Sequence, residues 1–274
     1  MGKETAVIKI PKGFDIWQTL NCGQCFRFTK RDDGVICGVL QNRSLEFKVD
    51  GDSLYINCEQ SFADKEIYHF FDFERDYDSI KSSLSSDKTL SLAINYAGGI
   101  RILNQEPWEA LCSFIISQNN NIKRISGIIE RLCQNFGDKI DGGYSFPTAK
   151  KLSKLEVGNL DVLRSGFRAK YIIDAAKKVS SGEVDFEKIS SLPLDEARCE
   201  LMKIVGVGPK VADCALLFGF HRLDAFPTDV WIKRVLEKLY PNGFPENFKD
   251  VRGIAQQYLF HYARTNEDAF WGDK

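Results

Sequence analysis

The sequence contains no apolar run that approaches the roughly 20 residues needed for a membrane-spanning helix. Its first residues also lack the apolar core of a secretory signal peptide. Because both are missing, we expect an intracellular protein, in the cytoplasm or nucleoid if the source is prokaryotic, with no membrane partner. Internal repeats and low-complexity tracts are absent as well. The composition, 43% hydrophobic and 27% charged, is typical of a globular protein, which we expect to be monomeric.

A strong net charge is also missing. Lys and Arg number 37 against 38 Asp and Glu, which gives a formal net charge of −1. Proteins that bind nucleic acids commonly carry a basic surface, and the overall balance gives no indication of one. A nucleic-acid partner must therefore be inferred from local motifs.

Cysteine is present, but not in clusters. The eight cysteines are spread along the chain, and several fall on predicted apolar faces, so we expect buried free thiols. Cys22-Gly-Gln-Cys25 has the C-x-x-C spacing, but no second pair at metal-binding spacing follows it. No cysteine follows Cys214, which argues against a C-terminal iron–sulfur cluster. We therefore expect neither a zinc site nor an iron–sulfur cofactor.

The N-terminal part of the sequence has the pattern of a β-sheet. Polarity alternates over residues 1 to about 60, and Asp50-Gly51-Asp52 is typical of a hairpin turn. One helix is expected at 15–20. These features predict a small antiparallel β-sheet domain over residues 1–90.

The rest of the sequence has a helical period. It begins near Tyr68, with a loop expected at 82–86, and continues from Pro107 to a glycine-type helix end at Gly137. Further helices are expected at 148–152, 159–163, 169–180, 194–204 and 210–220. The sequence therefore predicts an α+β fold whose second domain, residues 91–274, is all-helical.

The most informative segment joins the last two of these helices. Gly206 and Gly208 flank Val207, and glycine takes positive φ without steric cost, so a tight hairpin is expected within about 194–220. The first N–H groups of the second helix would point toward an anion such as a phosphate. Lys210 opens that helix, where the helix dipole disfavours the charged ammonium, and a neutral amine is what nucleophilic attack requires. A solvated lysine at a helix start is the alternative interpretation.

Asp229 follows about 19 residues later, in Pro227-Thr228-Asp229-Val230. Its carboxylate could cap the next helix. It could also face a cleft and stabilise positive charge on a sugar, or transfer a proton. The two roles are compatible.

Two further segments have the composition of a DNA contact. Asn119-Asn120-Asn121 are poor helix formers between two apolar helical runs, so they either connect helices or present amides to bases, with Arg124 one turn later. Gly166-Phe167-Arg168 places an aromatic ring beside a cation at a helix start, which suits a wedge that enters a base stack. A core aromatic at a helix entrance is the alternative for Phe167.

These segments occur together and in one order. In that combination the chain resembles the helix-hairpin-helix DNA glycosylases of the HhH-GPD superfamily, specifically the 8-oxoguanine DNA glycosylase/AP lyase branch. Residues 20–27, Leu-Asn-Cys-Gly-Gln-Cys-Phe-Arg, also resemble an N-terminal element of this family. The similarity covers essentially the whole chain. It implies a DNA repair enzyme that flips 8-oxoguanine out of duplex DNA, excises it through a lysine Schiff base and nicks the strand by β-elimination.

The resemblance also implies a role for each matching residue. Lys210 matches the Schiff-base lysine and Asp229 the carboxylate that assists it. The phosphate-binding hairpin is matched by Gly206, Val207 and Gly208, and a monovalent cation would bind the carbonyls of Met202, Ile204 and Val207. The pocket for the extruded base is matched by Gly23, Cys214, Gln256 and Phe260. The residues that address the opposite cytosine or act as the wedge are matched by Asn119, Arg124, Phe167 and Arg168.

The pocket chemistry follows from the base itself. Guanine presents N7 as an acceptor, whereas oxidation at C8 converts N7 into a donor. A backbone carbonyl at Gly23 would accept a hydrogen bond from the oxidised base but would face a lone pair on guanine. An unpaired buried acceptor costs roughly 1–3 kcal/mol, which favours the lesion. The Phe260 ring would stack on the base and the Gln256 amide could read its Watson–Crick edge.

Two positions depart from the human family member, which has a histidine at Trp231 and a tyrosine at Phe167. Because both residues contact DNA in the family, the preference for cytosine opposite the lesion could be altered.

Two other functions stay open. An endonuclease III-like glycosylase/lyase for oxidised pyrimidines shares the Lys and Asp pair but usually carries an iron–sulfur cluster. A non-catalytic helix-hairpin-helix DNA-binding protein would need neither the pair nor the Gly23 element.

Overall fold

The computed structural model describes residues 4–266, so the outer limits of the two expected domains, at residues 1 and 274, lie outside the described residues. The N-terminal part contains a five-stranded antiparallel sheet in the order β1-β5-β4-β3-β2. Its strands are β1 (Ala6–Lys9), β2 (Phe28–Lys30), β3 (Ile36–Leu40), β4 (Arg43–Asp50) and β5 (Ser53–Ile56). The prediction of a small antiparallel sheet is confirmed.

The sheet buries one face. Phe47 on β4 lies opposite Ile56 on β5, and neither is accessible to solvent. The hairpin that joins these strands pairs Asp50 with Ser53 across a two-residue turn. Gly51 in that turn has a φ of +59°, which a side chain would disfavour. The alternation of the sequence therefore sets which residues face the core.

Helices form most of the remaining structure. Their bounds are α1 (Ile16–Asn21), α2 (Gln60–Phe62), α3 (Tyr68–Phe70), α4 (Tyr77–Leu84), α5 (Lys88–Ala97), α6 (Pro107–Ser117), α7 (Ile122–Phe136), α8 (Ala149–Leu152), α9 (Arg168–Ser181), α10 (Phe186–Ser191), α11 (Leu194–Leu201), α12 (Pro209–Gly219), α13 (Val230–Leu239) and α14 (Arg252–Thr265). A π-helical turn at Ala63–Ile67 joins α2 to α3, and 3₁₀ turns span Val157–Leu163 and Glu246–Val251.

The predictions for the helical part need three corrections. The second part is mainly rather than entirely helical, because β6 (Lys139–Ile140) and β7 (Gly143–Tyr144) form a short hairpin within it. The loop expected at 82–86 is wrong for its first three residues, since α4 continues to Leu84, whose fully buried side chain packs the last turn into the core. The helical pattern also begins earlier than Tyr68, at α2.

Helix α6 lies in the centre of the helical part. All its residues from Trp108 to Ile116 except Glu109 are buried, and α7, α9 and α12 pack around it. Helix α12 approaches it closely, because a Cβ added at Gly219 would lie 3.0 Å from the Ala110 Cβ. This contact sets the position of α12, which carries Lys210 at its opposite end.

Gly137 ends α7, as the sequence predicts, but for a different reason. Its φ of −76° and ψ of 171° are extended, so the left-handed conformation typical of helix-terminal glycines is not used. A Cβ at this position would clash with the Ser145 carbonyl oxygen and would lie 2.5 Å from the Cys133 carbonyl oxygen. Glycine therefore allows the chain after α7 to approach the backbone at Ser145.

We predict that Gly137→Ala destabilises the protein by about 2 kcal/mol or more, because the added methyl group meets backbone atoms that cannot move aside. Gly158→Ala is the matched control, since a Cβ there has no atom within 4 Å and its φ is not positive. Urea unfolding should show a lower midpoint for the first variant and little change for the second. Equal midpoints would contradict this explanation of Gly137.

Candidate active site at the helix hairpin

The hairpin between α11 and α12 turns at Gly206. Its φ is +82°, and the Val207 N–H donates to the Ile204 carbonyl at 3.0 Å. Gly208, by contrast, is extended, with φ −96° and ψ −178°. A Cβ at Gly208 would have no atom within 4 Å, so the backbone at the start of α12 is open to a ligand. The geometry suits the approach of an anion to the first N–H groups of α12.

Lys210 is the second residue of α12, and its side chain is partly buried. Its Nζ lies 3.5 Å from the Ser117 Oγ, at the end of α6, and 5.6 Å from the centroid of the Phe114 ring. The Ser117 hydroxyl itself donates to the Phe114 carbonyl at 2.8 Å, so its lone pairs can accept from the amine. Ser117 therefore holds the amine at the junction of α6 and α12.

Cys214 lies one turn further along α12 and is buried. Burial raises the pKa of the Cys214 thiol to about 11, although the charge of Lys210 and a hydrogen bond from it act in the opposite direction. The Asp229 carboxylate also raises the pKa of this thiol. Lys210 and Asp229 are therefore both within electrostatic reach of one sulfur atom. Because its pKa is raised, the Cys214 thiol stays protonated near neutral pH and is a poor nucleophile.

Asp229 is the N-cap of α13. Its Oδ1 accepts hydrogen bonds from the N–H groups of Trp231 at 3.0 Å and Ile232 at 2.9 Å. The capping role weighed from the sequence is thus present in the structure. Both bonds engage the same oxygen, so the cap fixes the carboxylate and leaves Oδ2 outside these contacts.

Two of the residues predicted for the base pocket, Gly23 and Phe260, meet across the two parts of the chain. Gly23 has a φ of +95°, and a Cβ there would lie 3.5 Å from the Phe260 ring and 3.7 Å from Ile122. Gln256 is buried, and its Nε2 donates to the Pro227 carbonyl at 3.0 Å. Its buried Oε1 has no partner among residues 4–266. The Phe260 ring therefore lies beside the Gly23 backbone.

Gln24 is a positioning residue that the sequence did not single out. Its side chain is fully buried, and its Nε2 donates to the carbonyls of Thr19 at 2.9 Å and Arg101 at 2.8 Å. Its Oε1 accepts from the Leu103 N–H at 3.0 Å. These bonds tie the Gly23 segment to the chain that enters α6. Its place in the family-like element at residues 20–27 was the available indication.

Arg264 is a second residue that the sequence did not indicate as part of the site. It lies one turn after Phe260 on α14, with its guanidinium carbon 5.2 Å from the ring centroid. Its Nη1 would be 3.9 Å from a Cβ at Gly23. Burial lowers the pKa of Arg264, and the charges of Cys22 and Asp229 oppose that shift. The Arg264 cation therefore lies beside the predicted pocket. Its position four residues after Phe260 on a helix was the sequence signal that could have indicated this contact.

The wedge and the asparagine loop are adjacent. Phe167 is 48% exposed at the start of α9. Arg168 next to it is buried, and its guanidinium donates to the carbonyls of Gln118, Asn119 and Ser165. Burial, and then the charge of Arg124, lower the pKa of Arg168. Arg168 thus braces the loop in which Asn119 has a left-handed φ of 47°, and contact of these side chains with the opposite base stays a prediction.

Other possible sites lie apart from Lys210. A cleft of about 700 Å³ between the sheet and the helical part is lined by residues such as Arg27, Trp108 and His221, and includes no residue of the predicted pocket. Within residues 4–266, no group of three or more His, Cys, Asp or Glu is placed to hold a metal ion. Over the same range, no helix has the length and apolar character to cross a membrane.

Comparison with known proteins gives matches over most of the chain. Residues 7–111 match the 8-oxoguanine DNA glycosylase N-terminal domain, and residues 112–256 match the HhH-GPD superfamily of base excision DNA repair proteins. A Clostridium acetobutylicum 8-oxoguanine glycosylase/lyase, in complex with double-stranded DNA containing cytosine opposite 8-oxoguanine, superimposes with a TM-score of 0.91. It is 36% identical, and the match covers 97% of each chain.

Two curated relatives have related names. A probable N-glycosylase/DNA lyase of Methanothermobacter thermautotrophicus is 29% identical over 94% of this chain and 96% of its own length. The N-glycosylase/DNA lyase of Saccharomyces cerevisiae is 41% identical over 56% of this chain, a match that spans 46% of the yeast protein. Two family models cover residues 7–256 in succession, and the hairpin, lysine and carboxylate are arranged as described above. The chain therefore belongs to the HhH-GPD superfamily of base excision DNA repair proteins and carries the N-terminal domain of the 8-oxoguanine DNA glycosylases.

Proposed function

We propose that this protein excises 8-oxoguanine from duplex DNA and then nicks the strand, with Lys210 as the nucleophile of both steps. The observation that carries the proposal is the placement of the Lys210 amine. It lies beside Ser117 and Cys214 at the open end of α12, and the charges of Lys210 and Asp229 both act on the Cys214 thiol. The family membership and the DNA complex of the Clostridium relative support the same substrate.

Recognition of the lesion uses two features of the pocket. The Gly23 carbonyl accepts a hydrogen bond from N7–H, which guanine lacks. Gln256 Oε1, which has no partner among the described residues, accepts from the N–H groups on the Watson–Crick edge of the purine, because Gln256 Nε2 is already bonded to the Pro227 carbonyl. The two domains that we propose, 1–90 and 91–274, therefore complete the pocket together, since Gly23 comes from the first and Gln256 from the second.

The reaction begins with the neutral amine. Lys210 Nζ attacks C1′ of the flipped nucleotide, the N-glycosidic bond breaks, and its electron pair leaves with the base, which takes up a proton. Opening of the sugar ring gives an imine between Lys210 and C1′. The imine acidifies the C2′ hydrogen, and loss of that proton expels the 3′ phosphate and nicks the strand.

Asp229 stabilises the charge that develops in these steps. The sugar becomes cationic as the base departs, and a nearby carboxylate lowers the energy of that state. The α13 cap holds the carboxylate in place before the reaction, so little reorganisation is needed. The protonated Cys214 thiol lines the same wall without competing for C1′.

The proposed reaction requires no redox cofactor. We place the protein in the 8-oxoguanine branch rather than beside the iron–sulfur endonucleases, because residues 7–111 match the N-terminal domain of that branch. A monovalent cation bound by the carbonyls of Met202, Ile204 and Val207 would help to hold a DNA phosphate at the hairpin. We further propose that the protein acts as a monomer on DNA inside the cell.

We predict that Lys210→Ala abolishes both base excision and the covalent adduct trapped by borohydride on 8-oxoguanine duplexes. Lys9→Ala is the matched control, because its ammonium pairs with Asp52 on the N-terminal sheet and its loss should leave trapping intact. Electrophoresis of the trapped adduct provides the measurement. An adduct that persists in Lys210→Ala would assign the chemistry to another residue.

Asp229→Asn should separate capping from chemistry. The amide oxygen can still accept from the Trp231 and Ile232 N–H groups, so α13 and the thermal midpoint should be nearly unchanged. Loss of the negative charge should lower the single-turnover excision rate by about 10²-fold. Asp229→Ala, which removes both functions, should also lower the midpoint. A fully active Asp229→Asn would show that the carboxylate serves only as a cap.

We expect a preference for the opposite base that differs from that of a family member with tyrosine and histidine at positions 167 and 231. Phe167 lacks a hydroxyl, and Trp231 lacks an imidazole that could bind phosphate. Excision from duplexes with each of the four bases opposite 8-oxoguanine measures the preference. Phe167→Tyr and Trp231→His should shift it toward cytosine, and an identical profile in all three proteins would contradict the expectation.

A further inference from the structure

One face of α9 is attached to the phosphate-binding hairpin at three points. Tyr171, Asp174 and Lys178 are spaced three and four residues apart, so their side chains project from the same face of the helix. Phe167, the predicted wedge, precedes the same helix. The wedge and the hairpin are therefore connected through a single rigid element.

The first attachment is the Tyr171 ring. A Cβ added at Gly206 would lie 2.5 Å from three atoms of this ring, so the turn of the hairpin packs directly on it. The Phe167 ring contacts Tyr171 edge-on, with centroids 5.7 Å apart at 67°. An unbroken series of contacts thus runs from the wedge through Tyr171 to Gly206.

The other two attachments are polar. The Val205 N–H donates to Asp174 Oδ2 at 2.7 Å, and the Lys178 ammonium donates to the Lys203 carbonyl at 2.5 Å. Lys178 also lies 3.3 Å from Asp174 Oδ2. The side chains of Asp174 and Lys178 are only 26% and 20% exposed, so solvent screens their charges less than it screens those of a typical surface pair.

The charges of this pair are unusual for their place. A lone carboxylate beside a hairpin that binds phosphate would repel the DNA backbone. Lys178 lies within ion-pair distance of both Asp174 and Glu183, so it offsets the Asp174 charge, and the carboxylate can bind a hairpin amide with less repulsion. The Val205 N–H therefore bonds to Asp174 rather than facing DNA, and this bond fixes the hairpin on α9.

We infer that Asp174 and Lys178 are positioning residues that fix the distance between the wedge and the phosphate-binding hairpin. The strand is held at the hairpin while Phe167 enters the base stack, and extrusion of the lesion requires both contacts at a set separation. Nicking at a preformed abasic site requires the hairpin and Lys210, but it requires no unstacking of a damaged base. The inference rests on the proposed function, since it assigns these residues to the extrusion step of that reaction.

The test compares two reactions of the full-length protein. Asp174→Ala should slow single-turnover excision of 8-oxoguanine from duplex DNA by about tenfold, while nicking of the same duplex with a preformed abasic site should change by less than about twofold. Asp174→Asn should recover most of the excision rate, because its amide oxygen can accept from the Val205 N–H. Asp76→Ala is the matched control, since it removes a carboxylate that accepts from one backbone amide at the start of α4.

A double-mutant cycle gives the sharper readout. If Asp174 acts through the wedge, Asp174→Ala should add little to the loss caused by Phe167→Ala, whereas a merely structural role would make the two losses additive. Equal loss of excision and nicking in Asp174→Ala, or additive losses in the cycle, would overturn the inference.

A fluorescence measurement separates the failure of the inference from the failure of the proposed function. A 2-aminopurine placed beside the 8-oxoguanine reports unstacking on binding, even without excision. If the wild-type protein unstacks the probe and does not excise, the proposed function fails. If the wild-type protein excises and Asp174→Ala unstacks the probe as well as wild type, the coupling fails.

Discussion

The close packing of α12 on α6 is the contact on which the site depends. Gly219 permits an approach in which an added Cβ would be 3.0 Å from Ala110, and no larger residue fits without movement. This contact at one end of α12 sets the direction of the helix, and Lys210 at the other end then reaches Ser117. The amine that we propose as the nucleophile is therefore placed by two rigid helices rather than by a loop. Such support holds a catalytic group to the tolerance that the chemistry needs.

The pocket is assembled from segments that are far apart in sequence and held by buried amides. Gln24 bonds the Gly23 segment to the chain before α6. Gln257, which lies on α14, donates to the Cys22 carbonyl at 3.2 Å. A buried amide that lost these partners would be costly, so the bonds specify one arrangement of the two parts. The buried Gln256 Oε1, by contrast, has no partner among residues 4–266 and can accept a hydrogen bond from a ligand.

Local chemistry made several parts of the molecule predictable. The alternation of residues 1–60, the turn at Gly51 and the amphipathic period of the later helices are short-range properties, and the strands and helices follow them. The glycine spacing before Lys210 predicted the hairpin. Gly208 is extended rather than at positive φ, and its lack of a side chain leaves the backbone at the start of α12 open. A loop was predicted at 82–86 because serine is a poor helix former. The prediction is wrong for 82–84 because the burial of Leu84 outweighs that preference.

The sequence by itself determined the element types, the order of the motifs and the identity of the two residues proposed for the chemistry, because these depend on residue type and spacing. Tertiary structure alone decided which side chains meet. It showed Arg264 beside Gly23, Arg168 braced on the asparagine loop, and Asp174 bound to the hairpin. These contacts join residues between 31 and 241 positions apart, and no local pattern encodes such a pairing. They arise when burial of the apolar faces brings distant helices together.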